Sequence, residues 1–497
     1  MKLEFPTFRA IGRVVFDGSR YKAIGRIVFD GSRYRTIGRV ALRRLRKTLT
    51  VMIPIIIVLL IVHSILLVVW GRQLERKLAE VRQRGEPVFI ADLIPKPIPD
   101  NENAAVIYAR VFSIIDGQAG QYGRGRDFED AIYTDYIAES TTPEARAALA
   151  PKVRQALREE AAAFPLIAEA VSHPQCEFPV NWEAGGNALF PHWSKMRKVS
   201  QLIAARIVIE AEDGNMDAAI DTAITGLRVS RALEDKPLLI SFLVRSGIIQ
   251  KVLGGLKMAI ESKNLTTEQA YRLYGELGNI SSNQSFHKAL SSERPFTNWG
   301  FDQARSNSDL LYLFYNDKNR FWLDWIGKHG YGLLAYVWRP LSYKDQIVST
   351  TYWDSQMKLA DLPYRESRRF LHWPDSTDIP KYAIVTKALL PVYQSCMAQR
   401  DITQAKIGMA QIAIALKAYK SKYGSYPVSL EEAKMKPGWK LPDDPFTGKP
   451  FVYNRKGEGF TVYSLGADLL DDGGKTDKEL YGPGTSDKGD IVWVWKQ

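Results

Sequence analysis

Six aspartates, Asp468, Asp471, Asp472, Asp477, Asp487 and Asp490, fall within 23 residues near the end of a 497-residue chain, interleaved with glycines at 466, 473, 474, 482, 484 and 489. Unneutralised, so many carboxylates around tight turns repel one another. Calcium takes about 6–8 oxygens, backbone carbonyls included, from flexible loops of this kind. The spacing is not that of an EF-hand, which places acids at alternate positions from the first. A solvated acidic loop held by hydrogen bonds and by Lys475, Lys478 and Lys488 is the alternative.

Other chemistry is thin. The histidines at 63, 173, 192, 287, 329 and 372 are scattered without metal-ligand spacing, and no HExxH, G-x-S-x-G or CxxC pattern occurs. Gly473-Gly474-Lys475-Thr476 resembles the end of a phosphate loop, but Leu469 holds the position of its earlier glycine and the neighbouring aspartates would repel phosphate. Glu159-Glu160 and Asp443-Asp444 are adjacent acids, whereas catalytic carboxylate pairs come from distant segments. No catalytic residues are predicted. With two cysteines, Cys176 and Cys396, neither a disulfide scaffold nor a Cys-rich zinc module is available, and whether the two pair is left open.

The elements that must position the acidic loop come just before it. Ile402, Ala405, Met409, Ile412, Leu416, Tyr419 and Tyr423 step by three and four, which predicts one apolar stripe on a helix of about six turns. Strands are expected at Phe451–Tyr453, Phe460–Tyr463 and Ile491–Trp495, so that the helix packs on a small antiparallel sheet.

Four pieces in order carry a resemblance: Tyr419-Lys-Ser-Lys-Tyr-Gly-Ser-Tyr-Pro427, Asp444-Pro445 with Gly448-Lys449-Pro450, Ser464-Leu-Gly-Ala-Asp468, and Gly489-Asp490-Ile491 before a tryptophan. Over about 95 residues the chain is similar to the globular domain of type II secretion major pseudopilins. In that family the loop after Ser-Leu-Gly-Ala-Asp binds calcium. The resemblance implies Ca2+ ligation by Asp468 and the Leu465 carbonyl, and less directly by Asp490. Asp471 and Asp472 are local candidates without a family counterpart. The prepilin peptidase site of pseudopilins is missing before Leu49, and some 330 residues separate the apolar span from the module, which speaks against assembly into a pilus-like fibre.

Leu49–Trp70 is a run of 22 uncharged residues, long enough to span a hydrocarbon core, with Pro54 in its first turns and an interfacial Trp70 at its end. The formal net charge is +12, and residues 1–47 supply +10 of it, so the basic balance belongs to a leader and not to a nucleic-acid surface. That leader repeats a 13-residue unit: Phe8–Arg20, Tyr21–Arg33 and a partial copy from Tyr34. A hairpin-like strand and turn is conceivable in each, but the units are too small to bury a core, so a weakly ordered leader is expected, with a basic segment lying on anionic lipid as the alternative. Six basic residues precede the span and five follow it, which favours the N-terminus inside.

The expected organisation is a basic leader (1–47), a transmembrane helix (48–70), a juxtamembrane helix and Pro-rich linker (71–103), a helical domain (104–395) and a pseudopilin-like α+β module (396–497). The fold class is mainly α. Within the helical array, two helices joined at Asp213-Gly214-Asn215 resemble one tetratricopeptide-like hairpin, and no 34-residue period extends it. Aromatics crowd residues 281–395, among them Phe286, Trp299, Phe301, Tyr312, Trp322, Trp325, Trp338 and Trp353, as core packing or as a sugar-stacking groove.

As a whole the chain resembles a class of bacterial membrane-anchored envelope proteins. The expected function is that of a bitopic inner-membrane protein whose extracytoplasmic body binds or scaffolds, with the bilayer and envelope proteins or glycans as partners and no nucleic acid. The alternatives are an envelope carbohydrate or peptidoglycan hydrolase, and an accessory part of a secretion or pilus-like machine.

Overall fold

The computed structural model of the chain describes residues 31–118, 127–138, 140–234, 236–281, 283–306, 320–368, 379–389, 392–434, 440–476 and 489–495. Asp477 and Asp487 of the acidic loop lie outside these residues. Two compact units are present, Met1–Val69 and Trp70–Gln497.

Helix α1 runs Gly31–Gln83. The partial repeat from Tyr34 is therefore helical and not a strand and turn, and residues 72–83, expected as a separate helix, belong to α1. The reason is local. After Gly31 the only glycines and prolines before the helix ends are Gly38, Pro54 and Gly71, and the first firm stop is Gly85, at φ +75° and followed by Pro87. Two helical stretches among the described residues are long and apolar enough to cross a membrane, Arg46–Gln83 and Leu239–Glu261. None of the apolar window of the first is buried among the described residues, and that of the second is two-thirds buried, as in a core helix. The Ser64 and Thr50 hydroxyls donate to the Leu60 and Arg46 carbonyls at 2.8 and 2.7 Å, so these polar side chains are satisfied within their own helix.

The second unit is mainly helical. In chain order it contains α2 (Ala104–Gln118), α3 (Asp127–Ile137), α4 (Pro143–Glu159), α5 (Ala163–Ala170), α6 (His192–Glu212), α7 (Met216–Val229), α8 (Leu239–Ser262), α9 (Thr267–Gly278), α10 (Asn283–Ser291) and α11 (Glu293–Ser306). It continues with α12 (Arg320–Ala360), α13 (Tyr364–Ser367), α14 (Ile384–Leu389) and α15 (Val392–Tyr423). Two helix starts are capped: Thr142 accepts from the Ala145 amide with Pro143 at the first helical position, and Thr266 and Gln269 close a capping box. The α6–α7 hairpin turns through Gly214 at φ +84°.

Helix α8 crosses α6 at backbone distance. A Cβ on Gly255 would sit 2.7 Å from the Ala204 carbonyl oxygen, whereas one on the adjacent Gly254 meets nothing within 4 Å. The same substitution should therefore act with opposite sign at neighbouring positions. Gly254→Ala is expected to stabilise by up to about 1 kcal/mol through helix propensity. Gly255→Ala should instead destabilise, because overpacking costs about 1–3 kcal/mol and outweighs that gain. Melting temperatures of the two variants in detergent check the ordering; equal shifts would mean that the helices do not touch there.

The C-terminal sheet is three-stranded and antiparallel, with β2 (Gly459–Ser464) between β1 (Val452–Lys456) and β3 (Ile491–Trp495). Val452 faces Tyr463 and Phe460 faces Trp495. Helix α15 packs on β2 and β3 with one face and on α8 and α9 with another. This corrects the single-stripe reading. Ala405, Met409, Ile412 and Leu416 are buried as expected, but so are Ile407, Ala410, Ala413, Ile414 and Ala415, while Tyr423 is exposed. Alanines on the far side let the neighbouring helices approach, so one core cluster runs from α2 to β3. Residues 396–497 share that core, and the expected border at 395/396 falls inside α15.

A second core joins Leu239, Phe242, Phe286, Tyr352, Trp353 and Met397. Of the aromatic-rich segment, Phe286, Phe301 and Trp353 are thus interior residues. Trp299 lies over Gly185 and Gly186, where any Cβ would come within 2.5 Å of its ring. Tyr312, and the side chains of Trp322 and Trp325, lie outside the described residues. Neither cysteine is in a disulfide, and burial pushes the Cys176 thiol up to about 12.

Candidate functional site

The acidic loop leaves the buried strand β2 at Ser464 and returns into β3 at Ile491. Its two ends are drawn together: a Cβ on Gly466 (φ +66°) would lie 2.6 Å from the Gly489 carbonyl oxygen. Asp468 bridges them, accepting from the Leu470 amide on Oδ1 and from the Gly489 amide on Oδ2, each at 3.1 Å. Leu469 takes φ +61° to allow this turn. Asp471 accepts from the Gly473 amide at 2.9 Å and from the Tyr463 hydroxyl at 3.0 Å.

Asp490, 3% exposed, accepts from the Gly474 amide at 2.7 Å through Oδ2. Among the described residues, its Oδ1 and Oδ2 of Asp472 are buried oxygens without a hydrogen-bond partner. Burial pushes the Asp490 carboxyl up to about 6, and the charges of Asp471 and Asp472 push the same way. Two orphaned carboxylate oxygens on neighbouring acids fit the chemistry of a hard cation, which would neutralise both. Among the described residues, no three His, Cys, Asp or Glu side chains converge closely enough to hold a metal by themselves. Of the five predicted ligands, the structure orphans one oxygen on each of Asp472 and Asp490, and engages both oxygens of Asp468 with backbone amides. Asp471 is tied to Tyr463, and the Leu465 residue lies in the same turn.

A polar cleft of about 930 Å³ opens where α10, the turn at 360–365, α15 and the turn at 443–448 meet. Sequence reasoning missed it, because its acids are far apart in the chain. Asp401 and Asp444 are both buried there, and burial raises both carboxyls, with Asp444 adding to the shift of Asp401. Each acid is nevertheless occupied by architecture. Asp444 accepts from the Phe446 amide at 3.0 Å, the Thr447 hydroxyl at 3.1 Å and the Ser464 hydroxyl at 2.7 Å, knotting its turn to β2. Asp401 accepts from Arg400 at 2.7 Å, and Arg400 also donates to the Ala360 and Leu362 carbonyls at the end of α12. On the rim, His287 Nδ1 lies 2.6 Å from Asp361.

Two other shifted acids have the same kind of role. Glu293, pushed by burial up to about 7, accepts from the Leu239 amide at the start of α8. Asp345, pushed by burial up to about 6, accepts from the Val385 amide at the start of α14. Both carboxylates meet orphan helix-terminal donors.

A groove of about 770 Å³ separates α4–α5 from α6–α7. Leu157, Phe164, Ile167 and Ile203 line it, and Arg154, Arg206, Glu210 and Asp221 stand at its edges. The Arg206 guanidinium lies 4.0 Å from the Phe164 ring and bonds Glu210 at 2.6 Å.

Compared with known proteins, the chain matches no family model, no curated protein and no solved structure.

Proposed function

We propose that the chain is a single-pass bacterial inner-membrane protein, N-terminus in the cytoplasm, whose extracytoplasmic body binds envelope partners. The observation that carries this reading is the apolar window within Arg46–Gln83, none of which is buried among the described residues. Exposed in water, twenty or so such residues would be prohibitively costly; in a bilayer they are at home. Asymmetric basic flanks supply the orientation. The α4–α7 groove, an apolar floor between helices with an Arg and Glu rim, is the kind of surface on which a tetratricopeptide-like hairpin receives a peptide segment. The acidic loop, with its orphaned Asp472 and Asp490 oxygens, supports a structural calcium ion as in pseudopilins, which suits a calcium-rich compartment.

The hydrolase alternative gains nothing from the polar cleft, because Asp401 and Asp444 are held by Arg400, Ser464 and Thr447. Membrane integration is tested by alkaline extraction of membranes from expressing cells. The wild-type chain should stay in the pellet, and Leu59→Arg with Val62→Arg should release it, since each arginine at mid-span costs about 2.5–3.5 kcal/mol on insertion. Release of the wild-type chain by alkali would end the reading.

A further inference from the structure

The polar cleft between α10 and α15 carries an excess of negative charge. Asp361, Asp401, Asp443 and Asp444 line it against Lys288, Arg365 and Arg400, one acid too many while His287 is neutral. The neighbouring Glu366 and Lys440, which pair with Arg365 at 3.5 Å and Asp443 at 3.6 Å, cancel each other and leave that excess unchanged. On the floor, Asp401 and Asp444 are 4% and 2% exposed. Arg400 pairs with Asp401 at 2.7 Å, whereas the partners of Asp444, the Phe446 amide and the Thr447 and Ser464 hydroxyls, are neutral. Burial raises both carboxyls, and the charge of Asp444 raises Asp401 further. A positive charge beside them would relieve that repulsion.

Two groups in the cleft have hydrogen-bonding capacity to spare. A carboxylate offers about four acceptor sites, and Asp401 gives two of them to Arg400, at 3.2 and 2.7 Å. Gln404 follows Asp401 on α15 at i+3, so the two side chains share one face of the helix, and both line the cleft. Gln404 is half-buried, and among the described residues its amide has no hydrogen-bond partner. An open carboxylate edge and an idle amide oxygen therefore adjoin the same space.

Size and lining decide which kind of cation fits. At about 930 Å³ the cleft is far wider than a bare ion and falls within the range of about 300–1,000 Å³ usual for small-molecule sites. Among the described residues, no three acidic or metal-ligating side chains converge on a metal. A quaternary ammonium is recognised by aromatic faces, and among the described residues no Phe, Tyr or Trp lines the cleft. A primary ammonium instead donates three hydrogen bonds. Asp401 and Gln404 can accept two and water the third, while Leu362, Pro363 and Pro445 offer apolar contact to an alkyl stem. We infer that the cleft binds a small molecule bearing a primary alkylammonium group, which donates to Asp401 and Gln404 while Asp444 adds its charge. This site does not depend on the membrane reading.

The full chain, in a non-ionic detergent, is titrated in a calorimeter with 1,5-diaminopentane, lysine, pentyltrimethylammonium and magnesium. At least one of the two primary amines should bind saturably, one molecule per chain, and the tighter of them tells a polyamine ligand from a diamino acid. Gln404→Ala removes one acceptor and should weaken that binding by about tenfold. Since the Gln404 amide bonds no other described residue, this variant should melt with the wild type. Gln404→Lys should supply the ammonium from within the chain, so that amine binding is lost and the Tm rises. Absence of saturable binding by either primary amine would overturn the proposal. Binding of the quaternary ion or of magnesium as tight as that of the amines would overturn it too, and so would amine binding unchanged in both variants.

Discussion

Replacing Arg294 with alanine should cost the body about 3–5 kcal/mol, the largest loss expected from any single charged side chain in this fold. Arg294 is 1% exposed and donates to Glu86 at 2.5 Å and to Asp354 at 3.1 Å. Asp354 also takes Lys77 and Arg84, and Arg84 closes the network on Glu86 at 2.6 Å. One guanidinium thus fastens the turn after α1 to α11 and α12. Its removal leaves two acids partly desolvated and short of a cation, which costs more than the pair ever contributed. Burial alone would raise the Glu86 carboxyl, but hydrogen bonds from Arg84 and Arg294 outweigh it and hold the group below its usual range. That share of stability is present above the ordinary carboxylate pKa and is lost as pH falls through the lowered one. The comparison variant is Arg272→Ala. Arg272 pairs with Asp221 on the open surface, with both side chains more than a third exposed, and its loss should cost no more than about 1 kcal/mol. Melting in detergent should separate the two variants by many degrees. Equal shifts would show that the Arg294 network does not hold the linker.

The second large effect concerns calcium. Added to the chelator-treated full chain at a hundredfold excess over its dissociation constant, calcium should stabilise by about 2.7 kcal/mol, because the unfolded loop offers no comparable set of oxygens. Asp490→Asn should have two effects of opposite sign. It removes a buried, partly orphaned carboxylate, so the metal-free protein should melt higher; it also removes a ligand, so the calcium gain should vanish. The pH dependence follows from the raised Asp490 pKa of about 6. In chelator, the stability associated with this group is present below the ordinary carboxylate range and is lost as pH rises through about 6. Calcium competes with that proton, so its effect should be full above pH 6 and fade below it. Identical melting in calcium and chelator at pH 7.5 would mean that the orphaned oxygens are met in some other way.

What was legible in the residues depended on how local the cause was. The apolar helix over 49–70 and the three strands follow from short-range signals, and the structure has them within a few residues. The join of residues 72–83 to the span was misread because a change from apolar to charged resembles a boundary, although only a backbone breaker such as Gly85 ends a helix. The stripe on α15 was recognisable, but not the burial of its other faces, since alanine is ambiguous between surface and close-packed core. The acidic loop could be singled out by composition, whereas which oxygens lack partners depended on the fold. The polar cleft was invisible: Asp401 and Asp444 meet only because α15 and the 443–448 turn close on α10, and the motif that holds Asp444 says nothing of Asp401. Arg294 reads in sequence as one more surface arginine.

Topology tests the central claim most directly. Protease is added to intact spheroplasts expressing the full chain, and membranes are probed for fragments. The account predicts that the 71–497 body is digested and that a small membrane-bound piece containing the Leu49–Trp70 span survives. A body fully protected until the membrane is lysed would contradict it.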